Sequence, residues 1–252
     1  MVTARRSPRR KPKVGTQLRL AGVSDEVEPK PKWGGRRANA GRKRAEGTRP
    51  SVAHRPRPRH VGRYPVHVTL RARGGLPSLR SQRISAELHR ILSRQAKRRY
   101  GPAFQVVDFS IQDNHLHLIV EAVGDEDAHD QLRAGVSGLV IAFAKRLNRL
   151  LHRRGKVWGD RWHGRDLTTP REVRNTLVYV FRNVAHHGAR MFGEGVVDPF
   201  SSAASFDGWT RPLTMSVATK PWTHPPPHTW MLDQGWRIHG LLDPREARRR
   251  DR

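Results

Sequence analysis

The feature that most constrains the fold is an alternating stretch at residues 114–122, which directly follows Asp113. Asp and Asn readily adopt turn conformations, and the alternation that follows them has the period of two that a β-strand requires. The side chains therefore divide between two faces of the strand: Leu116, Leu118, Val120 and Ala122 on one, and His115, His117, Ile119 and Glu121 on the other. The leucine face can pack beneath helices, whereas the other face carries two neighbouring imidazoles.

The two histidines, His115 and His117, allow two interpretations. Neutral imidazoles that stand side by side on one strand face form a natural pair of metal ligands. Histidine is also common on half-exposed strands, so the pair fits a solvated sheet face that binds nothing equally well. Glu121 lies on the same face, and we expect it to face solvent.

Charge indicates the class of partner. The chain has 252 residues, a formal net charge of +27 and a pI near 11.7, which is typical of a protein that binds nucleic acid. An anionic membrane surface is the alternative, but no stretch approaches the roughly 18 apolar residues of a spanning helix. The absence of cysteine excludes thiolate metal sites and is typical of a cytoplasmic protein. We therefore expect no membrane insertion and a cytoplasmic, nucleoid-associated location.

Three regions differ in composition. Residues 1–60 contain 18 Lys and Arg against 4 Asp and Glu, without apolar periodicity, which predicts a disordered basic tail. That tail either follows a nucleic-acid backbone or only keeps the protein in solution. Residues 61–190 form the predicted folded domain. Residues 191–252 are predicted to be an irregular extension, with a small helical appendage near Trp230 and Trp236 that contacts DNA or docks on the domain.

The periodic patterns of the folded domain predict an order of elements. They indicate strands at residues 64–70, 104–111, 115–122 and 157–167, and helices at 81–99 and 127–152. This strand-helix-strand-strand-helix-strand order predicts an α+β fold with a ferredoxin-like antiparallel sheet. Such a sheet carries both helices on one face and leaves the other face open. The histidine face of the third strand is then the open one.

A third helix is predicted from Pro170 to about residue 187, with Thr169 as its N-cap and Glu172 in its first turn. Tyr179 and Asn183 lie one turn apart on a flank of its apolar stripe. Taken alone, this pair is more typical of a tyrosine at the edge of a core and an amide on a helix surface than of an active site.

Considered together, these motifs resemble a known family. The His115-Leu116-His117 strand, the segment from Trp158 to His163 and the segment from Tyr179 to Asn183 follow one another at spacings similar to those of single-tyrosine HUH transposases. Within that group the chain resembles the REP-associated tyrosine transposases over roughly residues 64–190. Where many relatives carry Asn-Pro, this chain has Asn183-Val184, which keeps the amide in place.

The resemblance implies roles for particular residues. Tyr179 corresponds to the nucleophile, His115 and His117 to metal ligands, and Asn183 to a third ligand. It also implies Mg²⁺ or Mn²⁺ as the metal, although nitrogen and amide-oxygen ligands alone would equally allow Zn²⁺. The implied activity is cleavage and rejoining of single-stranded or hairpin DNA through a 5′-phosphotyrosine, without ATP. Members of the wider family assemble their active sites across a dimer, whereas the REP-associated branch need not, so monomer and homodimer are both expected assemblies.

Four residues between the second and third helices are candidate DNA contacts. Trp158 and Trp162 offer stacking surfaces, and Arg161 and Arg165 offer charges for phosphates. Burial of each indole against the second helix is the alternative. The alternative to an enzyme is a non-catalytic nucleic-acid-binding module, or an inactive transposase copy. RNA-binding sheets of this class usually carry aromatic residues on their central strands, and the histidines at these positions favour metal chemistry.

Overall fold

A computed structural model describes residues 57–95, 103–124, 126–182, 197–213 and 222–246 of the chain. Their helices and strands occur in this order: β1 (Val66–Arg71), α1 (Gln82–Gln95), β2 (Phe104–Ile111), β3 (His115–Ala122), α2 (Ala128–Leu150), β4 (His163–Asp166), α3 (Pro170–Arg182) and α4 (Trp230–Asp233). Two 3₁₀ turns, Ser202–Ser205 and Gly235–His239, flank α4 in sequence.

The four strands form one antiparallel sheet in the order β2-β3-β1-β4. That order, with α1 after β1 and α2 after β3, is the predicted ferredoxin-like arrangement. The α+β fold class is therefore confirmed. The fourth strand is shorter than predicted, since regular pairing covers only His163–Asp166.

The first core lies between the sheet and the helices α1 and α2. It contains the even-numbered side chains of β1 and β3, which the alternation assigned to the helical face. Leu88 and Leu92 from α1 and Phe143 and Leu147 from α2 pack against them and are almost fully buried. Amphipathic spacing in both helices thus accounts for this layer.

The second core corrects the expectation that the other sheet face is open. Val107 of β2 and Ile119 of β3 are buried there by α3 and by side chains from residues 197–213 and 222–246. Trp236 is 1% exposed and anchors this layer, whereas Trp230, in the same predicted appendage, is 57% exposed. Residues 197–213 and 222–246 are therefore a structural layer over β2 and β3, although most of them have irregular backbone.

Glu121 is fully buried beneath this layer, so its predicted exposure to solvent is wrong. Its carboxylate accepts hydrogen bonds from the Thr229 hydroxyl at 2.6 Å and from the backbone N–H groups of His228 and Thr229 at 2.8 and 2.9 Å. Gln105 donates a further bond at 2.8 Å. Four donors compensate for the lost hydration of this carboxylate and fix the start of α4 on the sheet.

Order also begins earlier than predicted. His60 is 5% exposed, and its ring lies within hydrogen-bond distance of the Asp166 carboxylate, at 3.1 Å, and of the Ala122 carbonyl, at 3.3 Å. These contacts attach residues 57–60 to the ends of β3 and β4. The rest of the predicted basic tail, residues 1–56, lies outside the described residues.

Two glycines of α2 provide a matched test of packing. Alanine is favoured over glycine in a helix interior by about 0.5–1 kcal/mol, and a Cβ added at Gly138 meets nothing within 4 Å. Gly138→Ala should therefore stabilise the fold by about that amount. A Cβ at Gly135 would overlap the buried ring of Phe104, so Gly135→Ala should destabilise by about 1–3 kcal/mol. Urea unfolding measures both, and effects of the same sign would contradict the packing described.

Asp108 of β2 gives the fold a pH dependence. Burial, together with the nearby Asp207 and Glu121 carboxylates, raises the pKa of Asp108 from 3.8 to about 7. The hydrogen bond that Ser202 donates to this carboxylate lowers the pKa and offsets part of the rise. His224 also faces this carboxylate, at 3.5 Å. Because the folded state holds the proton more tightly, the contribution of Asp108 to stability is present below about pH 4 and is lost as pH rises to about 7.

Asp108→Asn lacks this titration, so its stability relative to the wild type should rise across the same pH interval. Urea unfolding of both proteins from acidic to neutral pH measures the difference. A difference that does not vary with pH would contradict the assignment.

Candidate active site

Strand register brings a group of polar side chains onto one face of the sheet. Thr69 of β1 pairs with His117 of β3, and Arg71 pairs with His115. On the other side of β1, His67 pairs with Arg165 of β4. Because directly paired residues point to the same face, these six side chains surround one point of the sheet.

The helix α3 completes the site by crossing this face. Its first turn has the predicted caps: the Thr169 hydroxyl accepts from the Glu172 N–H at 3.2 Å, and the Glu172 carboxylate accepts from the Thr169 N–H at 3.3 Å. The buried stripe of Val173, Leu177 and Val180 holds the helix against the second core. This arrangement places the half-buried Tyr179 over the histidines.

The result is a cleft of about 460 Å³, open on one side. Its lining includes His67, Thr69, Arg71, His115, His117, Arg165 and Tyr179. Asn175 and Thr176 of α3 and Glu246 also line it. Three imidazoles, a phenol and two guanidinium groups therefore share one cleft, a combination suited to binding and transforming a phosphate ester.

His117 is the centre of the site. It is 3% exposed, and its Nε2 lies 3.2 Å from the hydroxyl oxygen of Tyr179. Its Nδ1 lies 3.1 Å from Nε2 of His67 and 3.3 Å from the hydroxyl of Thr69. The ring of His115 stands nearly perpendicular to it, at a centroid distance of 4.7 Å. Contacts at both nitrogens fix the orientation of the His117 ring.

His67 is uncharged at neutral pH. Burial, supported by the charges of Arg165 and His163, lowers the pKa of His67 from 6.5 to about 4. A neutral imidazole can accept a hydrogen bond, so His67 can accept one from Nδ1–H of His117. That tautomer leaves the lone pair of His117 Nε2 directed towards Tyr179 and the cleft.

The structure brings together some of the predicted site residues. His115, His117, Tyr179 and Arg165 line one cleft, and Arg161 is exposed on the adjoining loop. The Arg165 side chain is 56% exposed and 3.6 Å from Glu172, so it remains accessible to an anion. Asn183, the predicted third ligand, follows the end of α3 and lies outside the described residues.

The two tryptophans differ from their predicted role. Trp158 is 9% exposed within the first core, and its indole N–H donates to the Val140 carbonyl at 3.0 Å, so the prediction that it stacks on a base is wrong. Trp162 is half-buried. The Arg57 guanidinium lies 3.5 Å from its ring centroid, and Gly164 lies against the ring. Arg57 therefore occupies a ring face on which a base would have to stack.

His67, Thr69 and Arg71 are site residues that the sequence analysis missed. In β1, Val66, Val68 and Leu70 are buried in the core, and strand alternation puts His67, Thr69 and Arg71 on the opposite face. The predicted sheet order makes this strand a neighbour of the histidine strand. The signal was therefore present, but only when periodicity and topology are combined.

The C-terminal part of the described chain is attached to the wall of the cleft. Arg174 of α3 donates two hydrogen bonds to the Glu246 carboxylate, at 2.8 and 2.7 Å, and further bonds to the Gly240 and Leu241 carbonyls. This bidentate pair holds Glu246 beside α3.

Metal-binding potential rests on the histidines. Within the described ranges, no group of three or more His, Cys, Asp or Glu side chains is arranged to hold a metal ion. Two imidazoles, His115 and His117, are adjacent in the cleft.

Among the residues that the structure describes, no helix is long and apolar enough to cross a bilayer.

Comparison with known proteins finds similarity only among solved structures. No family model and no curated protein matches the chain. A REP-associated tyrosine transposase bound to a REP hairpin is 17% identical, with a TM-score of 0.41 over 54% of this chain and 75% of the other. A protein from Deinococcus radiodurans, provisionally described as a transposase, is 13% identical, with a TM-score of 0.33 over 60% of this chain and 95% of the other. Similarity at this level does not assign an activity.

Proposed function

We propose that the protein cleaves and rejoins single-stranded DNA, as a transposase does, with Tyr179 as the nucleophile. The observation that carries this proposal is the 3.2 Å distance between the Tyr179 hydroxyl and Nε2 of His117, in a cleft shared with His115 and two arginines. A tyrosine with only a packing role would not require a cluster of imidazoles and cations around its hydroxyl.

The charge of the cleft suits a phosphodiester. Arg71 and Arg165 line it from neighbouring strands, and guanidinium groups bind phosphate oxygens through charge-assisted hydrogen bonds. A volume of about 460 Å³ falls within the range of small-molecule pockets, roughly 300–1,000 Å³. Such a cleft accommodates a nucleotide of an unpaired strand rather than a base-paired duplex, which favours single-stranded DNA as the substrate.

The residues present fit a divalent cation in part. His115 and His117 are adjacent, and the contacts of His117 Nδ1 with Thr69 and neutral His67 favour the tautomer whose Nε2 can bind a metal. Asn183, four residues after Tyr179 in the sequence, is the proposed third ligand. When bound, Mg²⁺ or Mn²⁺ would act as a Lewis acid that polarises the scissile phosphate.

The chemical step balances without a further reactant. The Tyr179 oxygen attacks the phosphorus, a new O–P bond forms, and the bond from phosphorus to the 3′ oxygen breaks. The products are a 5′-phosphotyrosine and a free 3′-hydroxyl, and the proton lost by Tyr179 is matched by the one that the 3′ oxygen gains. Because the covalent link conserves the phosphodiester bond, attack by another 3′-hydroxyl reverses the step and rejoins strands without ATP.

Tyr179→Phe tests the nucleophile. The variant keeps the ring but lacks the attacking oxygen, so it should form no protein–DNA adduct. The assay is a denaturing gel with labelled single-stranded and hairpin DNA from the sequence that flanks its own gene, with Mg²⁺ or Mn²⁺. Tyr64→Phe, at a partly exposed tyrosine outside the cleft, is the matched control and should form the adduct normally. Binding of DNA without an adduct in the wild type would instead indicate a non-catalytic binding module or an inactive copy.

His67→Leu tests whether the contact of His67 with Nδ1 of His117 supports metal binding by His117. Loss of an outer partner of a ligating histidine typically weakens metal affinity by about 10–100-fold. We expect that loss in calorimetric titration with Mn²⁺, with a smaller fall in the cleavage rate at saturating metal. His239→Leu, at an exposed histidine of the last 3₁₀ turn, is the control. Equal Mn²⁺ affinities in the two variants would refute this role for His67.

A further inference from the structure

A second strongly charged surface lies on the opposite side of the molecule from the cleft. A groove of about 200 Å³ separates α1 and α2 on the outer side of the helical layer. Its walls carry five cationic side chains: Arg90 and Arg94 on α1, and Lys145, Arg146 and Arg149 on α2. Arg94, Lys145 and Arg149 are exposed. We call this surface the helical groove.

One carboxylate organises two of the five cations. Arg146 donates to Glu87 at 2.6 and 2.8 Å across the two helices, and Arg90 donates to the same carboxylate at 2.8 Å. The hydrogen bond from Arg146 lowers the pKa of Glu87 to about 2, so the carboxylate remains charged. Glu87 fixes these two guanidinium groups at the groove and offsets one of the five charges, which leaves the helical groove strongly cationic.

The shape of the helical groove depends on small residues. Gly138 and Ala142 lie one turn apart on its α2 side, and nothing occupies the space where a Cβ of Gly138 would stand. These small residues leave open space on the α2 side, Ile91 and Leu139 add apolar surface, and long cationic side chains rise on both walls. This form suits a backbone that lies along the surface rather than a group that inserts into it.

The helical groove differs from a single-strand site in composition. Sites for unpaired nucleic acid combine positive charge with aromatic rings on which bases stack. Among the residues that the structure describes, no aromatic ring lines this groove. Cationic contacts without stacking platforms are typical of binding to the phosphate backbone of a duplex, where the bases are already stacked on one another.

We propose that the helical groove binds the sugar–phosphate backbone of double-stranded DNA. The sheet and its helical layer separate the groove from the cleft, so one molecule can hold a base-paired segment on one side and present an unpaired strand to Tyr179 on the other. The coupling of the two surfaces rests on the proposed function. Duplex binding by the groove does not, because it can be measured without cleavage.

The test compares two triple variants of the full chain that lose the same charge. One carries Arg94→Gln, Lys145→Gln and Arg149→Gln in the helical groove. The control carries Arg83→Gln, Arg133→Gln and Arg211→Gln, three exposed arginines elsewhere. Binding of a labelled blunt DNA duplex is followed by fluorescence anisotropy between about 50 and 200 mM salt. The logarithm of the binding constant is plotted against the logarithm of the salt concentration, and each phosphate contact contributes about 0.9 to the magnitude of this slope.

The groove variant should lose about 2–3 units of that slope and bind the duplex about tenfold more weakly, while the control should stay close to the wild type. The groove variant should keep the thermal denaturation midpoint of the wild type, and it should form the adduct on a short unstructured oligonucleotide as the wild type does. Equal losses in both triples would overturn the proposal, because only total charge would then matter. The proposal would also be overturned if the groove variant lost affinity for unpaired DNA as strongly as for duplex DNA. The same holds if, in a parallel assay with phosphatidylserine vesicles, the variant lost affinity for the vesicles but not for the duplex. A wild type that binds duplex through the groove but never forms an adduct would refute the proposed function and leave this inference standing.

Discussion

The register between β1 and β3 is the constraint on which the cleft depends. It sets Thr69 beside His117 and Arg71 beside His115, and it keeps the leucines of β3 in the first core. Because side chains alternate, a slip of one residue would move both histidines into the apolar layer and bring the leucines to the cleft. Burial of the leucine face therefore determines where the cleft lies on the sheet, without requiring contacts among the cleft residues themselves.

The same strand also serves the second core. Along one face of β3, His115 and His117 stand in the cleft, Ile119 packs beneath α3, and Glu121 receives the start of α4. Over eight residues the environment changes from a cationic cleft to an apolar core and then to a buried carboxylate with four donors. The layer that covers the end of this strand also supports α3, so the position of Tyr179 over His117 depends on packing well away from the cleft.

Prediction from sequence succeeded where local periodicity decides the structure. The alternation of β3, the helical spacing of α1 and α2 and the capping residues of α3 each depend on neighbours within a few positions. It failed where a distant segment decides burial. Glu121 resembles an exposed residue because the groups that bury it, such as Thr229, lie more than a hundred positions later. Trp158 had two plausible environments, and its hydrogen bond to Val140 shows that the core one is adopted. His67 was missed because its role depends on strand pairing rather than on its immediate neighbours.

Because the hydrogen-bond donors of Glu121 are synthesised late, completion of the layer that supports the cleft depends on the C-terminal part of the chain. The hairpin of β2 and β3 leaves the ribosome about a hundred residues before His228 and Thr229, which supply three of its four hydrogen bonds. Until then a carboxylate on the sheet has to remain hydrated, so the second core cannot close during early synthesis. Such distant contacts slow folding. A premature stop codon before α4 would therefore leave a chain with every residue of the proposed chemistry but no completed layer to hold Tyr179 in place.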